Sequence, residues 1–271
     1  LTVDPIESSA YEFTSQVERF YAGLMQAAAR MPQVPLLRLG DLDAHAEQEP
    51  SLGGKLLYAG ELDAEARALA VAANIAGAAS LAATADAAAA KQAVRDGVVD
   101  FMVTSLDEAS RILKNEIRKR ETVAVCAALA PEMLEGQMQE RGVAPDLVRH
   151  TTSPPHRAAQ VEALAVQPGQ CIVAWSVAAA PALWLPKLDA IALNFVDAES
   201  SAIHRWLRQA PRYLGRLAQG LRLLRCTEKT AEMLRAKIQQ RVESGEIQVP
   251  VEFFISAGGK RESFSFSQKT G

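Results

Sequence analysis

Between Gly53 and Val148 short apolar runs alternate with helical patterns, and few folds accept that rhythm. Lys55-Leu-Leu-Tyr-Ala59 reads as a buried strand, followed by a helix that opens at Glu61 and runs to about residue 78. Ala79-Ser-Leu-Ala-Ala83 is a second strand, and Asp86 is placed to cap a helix that stops at Gly97. Residues 98–103 form strand three, and Ser105-Leu-Asp-Glu108 is a capping box for a helix ending near Arg120. Thr122-Val-Ala-Val-Cys126 is strand four and Asp146-Leu-Val148 strand five; between them Pro131 suits a first helical turn and Gly142 a left-handed terminus. Strands interleaved with helices of ten or more residues require right-handed crossovers. The pattern therefore predicts a Rossmann-like three-layer α/β fold, a parallel sheet covered on both faces.

With 271 residues, 49% of them hydrophobic, the chain can bury a sizeable core. A net charge of -3 argues against nucleic acid as a partner, and no apolar run reaches the ~20 residues of a membrane span. Cys126, Cys171 and Cys226 are far apart and odd in number, which suits a reduced, cytoplasmic protein. No His, Cys or carboxylate spacing marks a metal site. No secretory leader is read, and a chain opening on Leu1 rather than methionine reads as one trimmed at its start.

Three parts follow: residues 1–52 as an N-terminal helix and linker, 53–150 as the Rossmann-like domain, and 151–271 as an added α/β or α+β portion. Ser9 is placed to cap the first helix. In it Phe13, Val17, Phe20, Leu24 and Ala28 recur at helical spacing and should pack on the sheet or on a partner subunit. In the last part Cys171–Val177 and Leu188–Phe195 read as strands, with helix from Asp197 to Gln209, an interruption at Pro211, and more helix to about Arg225. Thr227 caps a final helix to Gly245, and residues 248–256 and 262–266 flank a glycine-bearing loop as a hairpin. Ten Arg and Lys residues from Arg205 to Arg241 could engage an anionic partner. The alternative is a solvated helix face with arginine stems lying over apolar neighbours.

Several phrases carry a family resemblance. Gly54-Lys-Leu, Ala76-Gly77 before Ser80-Leu81, Leu106-Asp-Glu-Ala109 with Arg111-Ile-Leu, Arg141-Gly-Val-Ala-Pro-Asp146 and Thr152-Ser153 follow one another in the order and spacing seen in urocanate hydratase. Over roughly residues 53–153 the chain resembles the central Rossmann-like domain of that family. The resemblance implies a tightly bound NAD acting as an electrophile in urocanate hydration, a lyase reaction of histidine breakdown, and a homodimer.

Where the family's first crossover is dense in glycine, however, this chain reads Ala59-Gly-Glu-Leu-Asp-Ala-Glu65. One glycine remains, and three carboxylates surround the place of the pyrophosphate, where like charges ~5 Å apart repel by several kcal/mol. The family's ribose-binding acid aligns with Thr84; Asp86, two residues on, reads as a helix cap. Its Gly-Asn after strand four aligns with Leu129-Ala130, and its catalytic cysteine has no counterpart. The expectation is thus a diverged scaffold without a cofactor, NAD being retained only if the altered loop still holds it. A small polar or anionic ligand is expected at the carboxyl edge of the sheet. Gly60, Thr84, Thr152, Ser153 and Arg157 are candidate contacts, and His150 and His156 the acid or base candidates, because loops after such strands face a ligand crevice.

Overall fold

The computed structural model describes residues 9–31, 51–149, 158–196, 201–218 and 220–268. Its first half is built from β1 (Leu56–Glu61), α2 (Ala64–Ala76), β2 (Ala79–Ala83), α3 (Ala87–Arg95), β3 (Phe101–Val103), α4 (Leu106–Lys119), β4 (Ala124–Ala127), α5 (Pro131–Glu140), β5 (Leu147–Arg149) and β6 (Ala159–Val161), after a helix α1 (Ser9–Arg30). All paired strands are parallel, in the order β3-β4-β2-β1-β5-β6. One face of this sheet buries Leu57, Ala59 and Cys126 against α2 and α3; the other buries Tyr58, Leu81 and Val125 against α4 and α5. The Rossmann-like expectation holds.

Local chemistry sets the ends of these elements. Helix α2 starts at Ala64, three residues later than expected, because Glu61 still pairs with Ala83 in the sheet and the Asp63 carboxylate takes the Ala66 amide at 2.8 Å. Asp86 caps α3 through the amides of Ala88 and Ala89. Ser105 Oγ accepts from the Glu108 amide, while the Glu108 carboxylate accepts from the Thr104 amide at 2.9 Å, closing the box one residue further back. Two phrases distant in sequence meet where Asp146 accepts from Lys55 Nζ (3.0 Å) and from the Leu56 amide (2.9 Å), fixing the start of β1 beside β5. Asp107 and Arg141 form a similar tie between α4 and the end of α5.

Helix α2 is buried almost all round, and its alanines leave room for α1 to lie against it. Val17, Phe20, Leu24 and Ala28 of α1 are buried as expected, within their own chain, and Phe13 is partly buried. At Gly23 a β-carbon would lie 2.1 Å from the Glu162 carbonyl oxygen, so only glycine permits this approach of helix and chain.

The second half adds β7 (Gln170–Ser176), α6 (Pro181–Leu193), α7 (Ser201–Leu214), a 3-10 turn (Gly215–Ala218), β8 (Leu221–Thr227), α8 (Glu228–Glu243), β9 (Val251–Ala257) and β10 (Lys260–Phe266). These four strands form an antiparallel sheet in the order β10-β9-β7-β8, sharing a hydrophobic core with α1 and α2. The terminal hairpin is present with a tighter Gly258-Gly259 turn, and Thr227 caps α8.

Three expectations fail here. Residues 188–193, read as part of a strand, lie in α6; α7 runs through Pro211 without the expected interruption; and 221–225, read as helix, lie in β8. Strand β8 holds half-buried arginines on both sides. Arg222 Nε donates to Asp189 of α6 at 2.9 Å, and Arg225 forms a two-bond ion pair with the buried Glu18 of α1 at 2.7 and 2.8 Å. Arg225 also donates to the Ala165 and Leu164 carbonyls.

Much of the basic stretch is engaged in this way. Arg205 Nε donates to the Ile75 carbonyl, Arg235 pairs with Glu232 and Arg241 with Glu246. The Pro35–Gly54 linker falls outside the described residues up to residue 50.

Candidate ligand crevice at the carboxyl edge

The chain leaves β1 toward β2 on one side, while β5 lies on the other. The strand order therefore reverses between β1 and β5, the place where open α/β sheets hold ligands. Gly60 stands at this point with φ +76°, beside a register shift between Tyr58 and Gly60. That left-handed conformation favours glycine, and the guanidinium of Arg149 lies over it, Nη2 being 3.5 Å from where a β-carbon would stand.

Arg149, the last residue of β5, is a candidate contact that no motif in the sequence marks. Its Nη1 donates to Asp63 Oδ1 at 2.6 Å, and the same oxygen accepts from the Ala66 amide. The Leu62 amide is already used, donating to the Ala83 carbonyl at 2.8 Å. The head of α2 thus carries the chain's own carboxylate where a helix terminus offers amides to an outside anion. The signal available in the sequence was positional: a basic residue ending the strand beside the switch point.

Around this pair the edge is rich in carboxylates. Tyr58 donates its hydroxyl to Glu135 of α5 at 3.0 Å; burial, and then the Glu135, Glu132 and Glu61 charges, raise its pKa and keep it a proton donor. Burial, with Glu61 adding to it, pushes the Cys126 thiol up to about 11, so it is no nucleophile at neutral pH.

Thr84 is buried at the end of β2, its hydroxyl accepting from the Asp86 amide at 3.2 Å, and Asp86 serves as the α3 cap. Leu129 and Ala130 lead into α5, whose first residue is Pro131 and whose N-cap makes no side-chain bond. His150, Thr152, Ser153, His156 and Arg157 lie outside the described residues. Among the described residues no group of three or more His, Cys, Asp or Glu side chains could hold a metal ion, and no helix is long and apolar enough to cross a membrane.

Residues 42–160 match the urocanase Rossmann-like domain. Gly60, Asp63, Thr84 and Arg149 all lie within the matched residues, whereas the antiparallel sheet lies beyond the match. No curated protein matches the chain.

Proposed function

We propose that the chain is a diverged urocanase-like protein that does not carry out NAD-dependent urocanate hydration and binds a small polar or anionic ligand at the β1/β5 crevice. The observation that carries this reading is Asp63, which caps α2 and pairs with Arg149. A dinucleotide in the usual pose would set its pyrophosphate at that helix terminus and against that carboxylate. Like charges ~5 Å apart at a partly buried site cost several kcal/mol, and no glycine run lets the backbone come closer instead. The site therefore does not fit the cofactor.

A small carboxylate or imidazole-like molecule meets a different situation. It can draw on Arg149, whose guanidinium forks toward Asp63 and Gly60, without needing the α2 amides. His150 and His156 then follow in sequence as acid or base candidates.

The test uses the purified chain. Acid extraction should release no NAD, and calorimetric titration should give an affinity for NAD weaker than about 1 mM. Titration with urocanate, as a probe of the small imidazole carboxylate class, should give saturable shifts that Arg149→Ala removes. Stoichiometric retention of NAD, or hydration of urocanate on adding it, would overturn the reading.

A further inference from the structure

We propose that a groove at the opposite, amino end of the parallel sheet is a second ligand site, built for a flat aromatic carboxylate. It is independent of the β1/β5 crevice. The groove is a cavity of about 790 Å³ running between the start of β3, helix α4 and the C-terminal end of α7, a volume within the range of small-molecule sites.

Its walls combine two kinds of group. Phe101 opens β3, an edge strand, and is 49% exposed, an unusual position for a large aromatic side chain. Tyr213 presents a second ring, held by a 2.9 Å hydrogen bond between its hydroxyl and that of Thr122, so its position does not depend on a ligand. The guanidinium of Arg212 lies 5.3 Å from the centre of that ring. Arg111 lines the groove from α4. Rings and guanidinium groups together form a surface on which a flat π-system can lie.

The charge of the groove is decided by which of its groups are already committed. Asp100 accepts from the Ala124 amide at 2.7 Å, and Glu116 accepts from Asn115 at 2.6 Å and Lys119 at 3.0 Å. Glu116 is balanced by Lys119, which with Asn115 holds its carboxyl below the usual range, while Asp100 has only a neutral amide donor, so the two arginines of the groove outnumber the one carboxylate left without a cation. Arg111 and Arg212 form no ion pair among the described residues, although Arg111 acts on Glu108 one turn earlier. The uncommitted charge is cationic and forked, and its best partner is a planar carboxylate that it can grip with two parallel bonds. A phosphate would meet the same charges but would leave Phe101 and the Tyr213 ring without a partner. An aromatic carboxylate uses both.

The probe is 2-naphthoate, with 2-naphthamide as its uncharged counterpart, titrated calorimetrically and by shifts of the Asn115 side-chain amide. Saturable binding of naphthoate is expected, weaker by about tenfold or more for the amide and for the Arg111→Ala/Arg212→Ala variant, since each tenfold is about 1.4 kcal/mol. Phe101→Leu, which keeps apolar bulk but not the flat ring, should weaken binding in the same direction. Lys260→Ala, which removes an exposed cation on the terminal hairpin, should leave it unchanged. The two arginines are exposed, so their removal leaves the core intact, which thermal unfolding of each variant verifies. Absence of saturable binding, equal affinity for acid and amide, or loss of binding in Lys260→Ala overturns the proposal, and none of these outcomes bears on the β1/β5 crevice.

Discussion

Breaking the Glu18–Arg225 pair tests how the two sheets are joined, because it links the first helix to an edge strand of the antiparallel sheet 207 residues away. Glu18 and Arg225 are almost completely removed from solvent, their side chains 5% and 11% exposed. Glu18→Ala deletes two charge-assisted hydrogen bonds of about 1.5–3 kcal/mol each and leaves Arg225 with only the Leu164 and Ala165 carbonyls. Loss of one partner of such a pair costs about 3–5 kcal/mol, a large share of the ~5–15 kcal/mol that holds a domain folded.

For a chain of this length the shift in Tm is roughly 6–10 °C. Arg225→Ala should cost at least as much, because it leaves a buried carboxylate unpaired. The double variant should be less destabilised than the two single variants added together, with a coupling of about 2 kcal/mol. Urea unfolding followed by tryptophan fluorescence measures all three. Strict additivity, or a single-variant loss below about 1 kcal/mol, would refute the reasoning.

Three further outcomes follow from the same geometry. Gly23→Ala should destabilise by about 1–3 kcal/mol despite alanine's better helix propensity, because the clash at Glu162 is with backbone; a more stable variant in chemical denaturation would contradict this. Glu108 is held below its usual pKa by the Thr104 amide and hydroxyl, so its contribution is complete above the ordinary carboxylate range and lost as pH falls through its folded value. The stability gap between the wild type and Glu108→Gln should accordingly close toward acid pH, and a gap that widens there would reverse the sign. Cys126, Cys171 and Cys226 should resist an aromatic disulfide reagent at pH 8 until urea is added, since all three are buried and the Cys126 pKa is about 11; rapid native labelling would argue against that burial.

The urocanase-like domain was legible because its signals are local. Asp86, Ser105 and Pro131 each act within one helical turn, and alternating apolar runs give parallel strands whatever lies around them. Strand order was not legible, and β4 inserted between β2 and β3 had no sequence mark. Helix α6 reads in part as a strand because Leu188–Leu193 is apolar on nearly every side, so no period separates helix from strand, and Pro186 inside it resembles a break. Strand β8 was taken for helix because Arg222 and Arg225 sit three apart, as on a wet helical face. Both are instead buried by acids 33 and 207 residues distant, which no window of sequence reveals. Arg149 carries no mark in the sequence for a related reason: its partner Asp63 lies 86 residues earlier.

Asp63 has a consequence beyond its bond lengths. A carboxylate attached by its own backbone to the helix it caps is a tethered competitor, present at an effective concentration on the order of millimolar or more whatever the solution contains. Free anions must outbid it before they reach the α2 amides, so dilute metabolites leave this terminus shut. A single change such as Asp63→Ser would untether it, leaving a hydroxyl cap and an unpaired Arg149 beside Gly60.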